Sequence, residues 1–416
     1  MTSRERVKLS LSHKQPDRIP IDFGSCAVTG MHYSCVAGLR EYYGLPKHPI
    51  VISDPIQMLG TVEPDLKEAL GIDVEGVLSR SDAFGVERTG LKEWKLDNGD
   101  VVLISSGHTV TDDANGNHYL HPQGDVTARP SAKMPKNGFY FDAVSRQEPF
   151  DDIDDLDPED NLEEYAIYSD EWVEKFGADI DKAVLTGRAV NVSYGGMALG
   201  DVARVPGTSL KNPRGVRDVS EWYMATCTAP EYVKYIFDKE TDIAIENLKK
   251  LKARSGDDID VMYICGTDFG TQISTFCSAD TFKNVYMPYY KKLNNWIHEN
   301  TSWKTFKHSC GAIESFIPLL IESGFDIINP VQCSAVGMEP RGLKEKYGKD
   351  IVFWGGGIDT QKLLPFGTPE QVAEQVKERC EIFGKDGGFV FNSIHNLQAG
   401  TPIKNIVAML DAFRGF

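Results

Sequence analysis

Thr301-Ser302-Trp303-Lys304-Thr305-Phe306-Lys307-His308-Ser309-Cys310-Gly311, followed by Ile313–Ser323 and then Asp326-Ile327-Ile328-Asn329-Pro330-Val331, is the stretch whose reading decides the fold. Thr301–His308 is a strand candidate, and Ile313–Ser323 spaces its apolar residues by three and four, as a half-buried helix does. Asp326–Val331 is a second strand candidate. Strand, helix and strand in this order form a parallel βα unit.

Working outward, the same rhythm recurs. Further strand candidates are Arg18–Asp22, Ile72–Leu78, Ala189–Tyr194, Asp260–Cys265, Ile351–Trp354 and Gly388–Ile394, and further helices are Ala279–Glu299, Pro369–Phe383 and Ile403–Phe413. Thr368-Pro369 followed by Glu370 places a cap residue, a first-turn proline and an acid in sequence, and Thr401-Pro402 repeats the device. Gly324 and Gly384 stand where helix C-caps are expected. Eight strands alternating with helices predict an α/β fold of the (β/α)8 TIM-like barrel type.

Residues 94–150 break the rhythm, with turn signals at Asp97-Asn98-Gly99 and Asn115-Gly116-Asn117 between short alternating runs such as Val101–Ile104. They predict a small antiparallel β insertion or lid. The expected organisation is therefore 1–93 as the first part of the barrel, 94–150 as the insertion, and 151–416 as the remainder carrying the site. The acidic run Asp151–Glu164 reads as a linker leading into a helix.

Composition narrows the function. The chain has 416 residues, 41% hydrophobic and 25% charged, which is ordinary for a globular core. Its net charge of −17 repels nucleic-acid phosphates and anionic membrane surfaces, so neither partner is expected. No apolar run approaches a bilayer span, and the charged N-terminus lacks a signal-peptide core, so a cytoplasmic protein is expected. Eight scattered cysteines read as thiols rather than as a disulfide framework.

In an extended segment alternate side chains share a face, so His308 and Cys310 point at one place from the end of a strand. Imidazole nitrogen and thiolate sulfur together suit zinc. Taken alone, such a pair is more often a hydrogen-bonded histidine beside a small buried thiol. His395 at the end of the last strand candidate and Cys333 just past Asp326–Val331 add potential ligands at equivalent strand ends, where barrels keep reactive groups. One close pair with distant partners fits an open catalytic site better than a closed structural one. Cys333 is either a ligand or a thiol behind the ligands.

Several motifs carry a family resemblance: Arg4-Glu5-Arg6 through Pro16-Asp17-Arg18-Ile19-Pro20-Ile21-Asp22, His308-Ser309-Cys310-Gly311, Asn329-Pro330-Val331-Gln332, Trp354-Gly355-Gly356-Gly357-Ile358-Asp359-Thr360-Gln361 and His395-Asn396-Leu397-Gln398. Together they resemble the uroporphyrinogen decarboxylase superfamily, and within it the branch of corrinoid-dependent methyltransferases. The resemblance implies a (β/α)8 barrel, a zinc ion held by His308, Cys310 and, in third place, His395, and a corrinoid (cobalamin) carried by a partner protein. The third ligand is cysteine in the coenzyme M methyltransferases, so His395 departs from that pattern and argues against a thiol substrate.

The tetrapyrrole decarboxylase of the superfamily needs arginines after its first strand, whereas no basic residue stands here between Arg18 and Arg40. Asp268 is a candidate proton donor or acceptor, or the cap of a turn. Tyr194, Gln272, Gln332 and Asp359 are candidate substrate-binding residues, with packing or loop support as the alternative for each. The expected function is zinc-dependent transfer of a methyl group from a small methylated substrate, such as a methoxylated aromatic, to a corrinoid protein. The alternatives are a metal-independent decarboxylase or other lyase of a small carboxylate using Asp268, and a non-catalytic corrinoid or small-molecule binding protein. The insertion is expected to border the barrel mouth or to serve a homo-oligomer.

Overall fold

The computed structural model describes all 416 residues. Seven parallel strands form one curled sheet in the order Val74–Leu78, Ala189–Ser193, Val261–Cys265, Lys304–His308, Ile327–Asn329, Val352–Trp354 and Phe389–Val390. The eighth stave of the barrel is the segment at Pro20–Asp22. Ile21 pairs in parallel with Phe391, and its carbonyl accepts from the Asp73 N–H at 2.9 Å on the other side. All eight strand candidates therefore lie in the barrel wall, and the ring closes between the two ends of the chain.

The interior is filled as the two-residue period of strands demands. Val74, Ala189, Val261, Phe306, Ile327, Val352 and Val390, one from each sheet strand, belong to one buried cluster with Trp354. Val7 and Leu11 of the helix Ser3–Leu11 join the same cluster and plug the N-terminal end. A buried carboxylate fastens this plug: Asp73 accepts from Arg6 at 2.7 Å, from Arg18 at 2.7 and 3.0 Å and from the Ile21 N–H at 3.0 Å.

Outside the sheet a larger core of 85 buried residues packs beneath the helices. Pro369–Phe383 starts as its sequence announces. The Thr368 hydroxyl accepts from the Gln371 N–H, and the Gln371 side chain returns the bond, so the capping box uses Gln371. At Thr401-Pro402 the structure departs from the sequence expectation. Pro402 itself is the N-cap of Ile403–Phe413, and the Thr401 hydroxyl donates instead to the Gln398 carbonyl at 2.8 Å. A proline in that place has no side-chain acceptor to offer the first turn.

Between Val74–Leu78 and Ala189–Ser193 the chain builds antiparallel β structure. Leu91–Lys95 and Val101–Ser105 form a hairpin that joins Ile50–Asp54 and Leu59–Gly60 in one four-stranded sheet. Val110–Asp112, His118–Leu120, Ala132–Met134 and Asp142–Ala143 form a second. Gly99 (φ +91°) and Gly116 (φ +79°) supply the left-handed turn positions that the sequence signalled. The first sheet reaches back before residue 94. No helix of the chain is long and apolar enough to cross a membrane.

Candidate metal centre and active-site cavity

The strand Lys304–His308 puts Phe306 into the barrel interior and, one period later, His308 at its C-terminal mouth. Cys310 follows on the same side. The next residue, Gly311, lies at φ +92°, where a Cβ would stand 2.2 Å from the Gly270 carbonyl oxygen, so only glycine turns the chain here. The Gln332 side-chain oxygen accepts from the Gly311 N–H at 2.7 Å, and Asp268 accepts from the Cys310 N–H at 2.7 Å.

His395 arrives from the segment after Phe389–Val390, the edge strand of the sheet, three strands from the central strand Lys304–His308. Its neighbour Asn396 fixes the segment by donating to the Ala27 carbonyl (2.8 Å) and the Gln57 side chain (2.7 Å) and by accepting from the Gly30 N–H. The result is a cluster in which one potential ligand atom each from His308, Cys310 and His395 lies within 4.8 Å of the others. The two imidazoles meet edge to face, their centroids 5.2 Å apart.

The hydrogen bonds define the state of these groups. Asn329 donates through Nδ2 to the Trp354 carbonyl at 2.9 Å, which turns its Oδ1 toward His308 Nδ1 at 2.6 Å. His308 therefore donates from Nδ1 and keeps the Nε2 lone pair free, facing Cys310 Sγ at 3.5 Å. Burial depresses His308 to about 4 and His395 to about 3, so both rings are neutral at pH 7, as ligation requires. Burial and the nearby Asp268 push the Cys310 thiol well above its ordinary range, so the thiol keeps its proton until a cation takes that place.

Two nitrogens and one sulfur, with the first nitrogen oriented from behind by Asn329, fit zinc and leave a fourth position open. One contact runs against the fit. The Asn396 N–H donates to His395 Nδ1 at 2.8 Å, and ligation through Nε2 requires a proton on Nδ1, hence a turn of that ring.

Lys307 points the other way, into the core behind the centre. It is wholly buried; Nζ donates to the carbonyls of Thr267 (2.7 Å) and His308 (2.6 Å) and lies 5.2 Å from the Phe269 ring centre. Its charge ties the end of the His308 strand to the loop carrying Asp268.

A cavity of about 290 Å³ opens beside the two histidines and is lined by Asp268, Tyr263, Asp201, Asp54, Arg88 and Arg204 among others. Of the residues singled out from sequence, His308, His395, Asp268 and Tyr194 line it. The Asp268 carboxylate lies 3.9 Å from His308 Nε2, and burial raises its pKa. The Tyr194 ring packs edge-on against Tyr168, and its hydroxyl is directed 3.5 Å from the Ala244 carbonyl, within the helical layer.

Gln272, Gln332 and Asp359 do not reach the cavity wall. Gln272 is exposed, with its carbonyl accepting from the Val336 N–H. Gln332 is occupied by Gly311. Asp359 accepts from the N–H groups of Gln361 and Lys362 in its own loop. Cys333 stands apart from the His308, Cys310 and His395 cluster. The strand Ile327–Asn329 ends before it, and a tight turn sends its thiol to the Val331 carbonyl at 3.4 Å. Burial there pushes the thiol up to about 12, next to Arg379 of the helix Pro369–Phe383.

Sequence reasoning missed the role of Asn329, although strand register makes it the partner of His308. It also missed Lys307, whose outward position on a helix-covered strand was the available signal. Arg88, Arg204 and Asp201 carry no local motif.

A model of the uroporphyrinogen decarboxylase (URO-D) family matches residues 208–416, half of the chain, including His308, Cys310 and His395. The chain belongs to the uroporphyrinogen decarboxylase family. Over 199 residues, 48% of each protein, it is 27% identical to a methylated-thiol–coenzyme M methyltransferase of Methanosarcina mazei. It is also 30% identical over 87 residues to uroporphyrinogen decarboxylases of Coxiella burnetii, covering 20% of this chain and 24% of theirs. The chain thus spans at most about half the length of these curated relatives. A solved methyltransferase from Methanosarcina mazei superposes on 100% of this chain and 99% of its own, with a TM-score of 0.55 at 16% identity, which establishes the shared fold of this URO-D family member.

Proposed function

We propose that the protein is a zinc-dependent methyltransferase that moves a methyl group from a small methylated substrate to the cobalt of a corrinoid carried by a separate protein. The observation that carries this reading is the convergence of His308, Cys310 and His395 at the strand ends beside a cavity of substrate size. The methylated-thiol–coenzyme M methyltransferase among its relatives supports it.

Zinc, when bound, supplies a Lewis acid that draws charge from the substrate heteroatom as the methyl group leaves. The chain's own residues do the rest. Asn329 orients His308, and Asp268 and Gln332 hold the Cys310–Gly311 turn. The methyl–heteroatom bond breaks with its electron pair remaining on the heteroatom, and the methyl group joins cobalt(I), which becomes cobalt(III). Asp268, on the cavity wall 3.9 Å from His308 Nε2, is placed to hold the proton that the departing anion takes up. Two histidines and one thiolate form a less electron-rich set than sulfur-richer ones, which favours an ether oxygen as the methyl-bearing atom and hence O-demethylation.

The test is a single turnover. Zinc-loaded protein mixed with cob(I)alamin and a methyl donor such as a methoxybenzoate is expected to give the methylcob(III)alamin spectrum, and His308→Ala to abolish it. Protein that purifies without stoichiometric zinc and works fully after His308→Ala would overturn the reading.

A further inference from the structure

The cavity that holds the two histidines also exposes two guanidinium groups, Arg88 and Arg204, neither with a carboxylate within 4 Å. Arg88 reaches it from the segment just before the hairpin strand Leu91–Lys95, spending two of its donors on the carbonyls of Ser79 (2.9 Å) and Ser53. Arg204 comes from the loop after Ala189–Ser193, and its side chain has no hydrogen-bond partner. The acids whose charge it meets already have partners, and Glu164 feels Arg204 less than Arg217. Glu164 is held by Arg217 at 2.9 Å, and Glu240 accepts from the N–H groups of Ala198 and Leu199. Asp201 accepts from the N–H groups of Ala203 and Gly266, both at 2.9 Å.

Burial lowers the Arg88 pKa, Asp82 and Asp54 oppose the shift, and Arg204 adds to it. Arg204 has no such partner within ionic reach, so its guanidinium is the one left to meet an anion entering the cavity. Both arginines share the cavity wall with His308 and His395. Leu78, Met197, Val202 and Ile264 line the same cavity.

From this arrangement we infer that the methyl donor carries its own carboxylate, which docks on Arg88 and Arg204 while its methyl-bearing atom faces His308 and His395. The inference rests on the methyl-transfer reading of the site and narrows its substrate class to small methylated acids with an apolar body. A planar carboxylate matches the fork of a guanidinium, and charge-assisted bonds of this kind are roughly twice as strong as neutral ones. A volume of about 290 Å³ lies at the lower end for ligand pockets, which restricts the acid to a single ring or a short chain.

The test measures binding on zinc-stripped full-length protein, so that no carboxylate is held by the ion. Calorimetry or saturation-transfer NMR compares 3-methoxybenzoate and methoxyacetate with their uncharged amides. At least one acid is expected to bind tenfold or more tightly than its amide. Arg204→Met, which removes no intramolecular hydrogen bond, is expected to cut that advantage at least tenfold, with Arg204→Lys retaining part of it. Acids that bind no better than their amides, or an advantage unchanged in a folded Arg204→Met protein, would overturn the inference. The outcomes separate cleanly: an acid preference without zinc uptake or cobalamin methylation defeats the methyl-transfer reading alone. Zinc uptake and turnover without an acid preference defeat the carboxylate site alone.

Discussion

His308 Nδ1 and Asn329 Oδ1 lie 2.6 Å apart on register-matched positions of adjacent barrel strands, and the Asn329 amide is itself fixed by the Trp354 carbonyl. Three strand ends thus set the direction of one lone pair. Asn329→Ala is expected to weaken zinc binding by about 10–100-fold, the usual cost of losing the group behind a metal-bound histidine. Asn329→Asp, which keeps an acceptor for the ring N–H, is expected to retain most of the affinity. Competition against a colorimetric chelator reads both.

Gly311→Ala would place a Cβ 2.2 Å from the Gly270 oxygen and strain a left-handed backbone. The backbone strain alone is worth about 1–2 kcal/mol, and relieving the clash moves Cys310. Lowered zinc stoichiometry and a lower urea midpoint are expected together.

Asp73 is fully buried between Arg6 and Arg18. Asp73→Ala leaves the Arg6 charge without its buried partner and frees the Ile21 N–H, with an expected loss of about 3–5 kcal/mol. Because the plug lies at the barrel end opposite the metal centre, zinc affinity of the folded fraction is expected to stay unchanged. Urea denaturation followed by circular dichroism, alongside zinc titration, checks the separation.

Burial raises the Glu240 carboxyl to about 7, against two backbone N–H bonds that favour its charge. The folded state therefore holds this proton longer than the unfolded chain does. The contribution is fully present below the ordinary carboxyl value of 4.5 and is lost as the pH rises to about 7. A glutamine in this place would keep an acceptor oxygen without titrating. Glu240→Gln is thus expected to be nearly neutral at about pH 4.5 and to gain up to about 3 kcal/mol over wild type at about pH 8, measured by denaturant unfolding across that range.

Much of the barrel is legible because its strands are covered on both faces and its helices on one, so period and punctuation survive in the residues. Pro369–Phe383 and Ile403–Phe413 emerge with the bounds their apolar spacing predicts. His308 and Cys310 are readable since two residues apart on a strand means the same side. Cys333 shows the limit: its position is a strand end only if Asp326–Val331 is all strand, and the earlier stop at Asn329 turns it away. Arg88 and Arg204 line one cavity from two separate loops more than a hundred residues apart, and no local pattern records a juxtaposition made by tertiary packing alone.

The ring closes where the segment at Ile21 pairs with Phe391, and His395 rides on the strand end beside that seam. His308 and Cys310 share one strand end, whereas the segment of their third companion is fastened through Asn396 to Ala27 and Gly30, just past the first stave. A complete donor set is thus a record that the circle has been joined. Zinc uptake during refolding would time the final stitch of the barrel rather than the formation of any one strand.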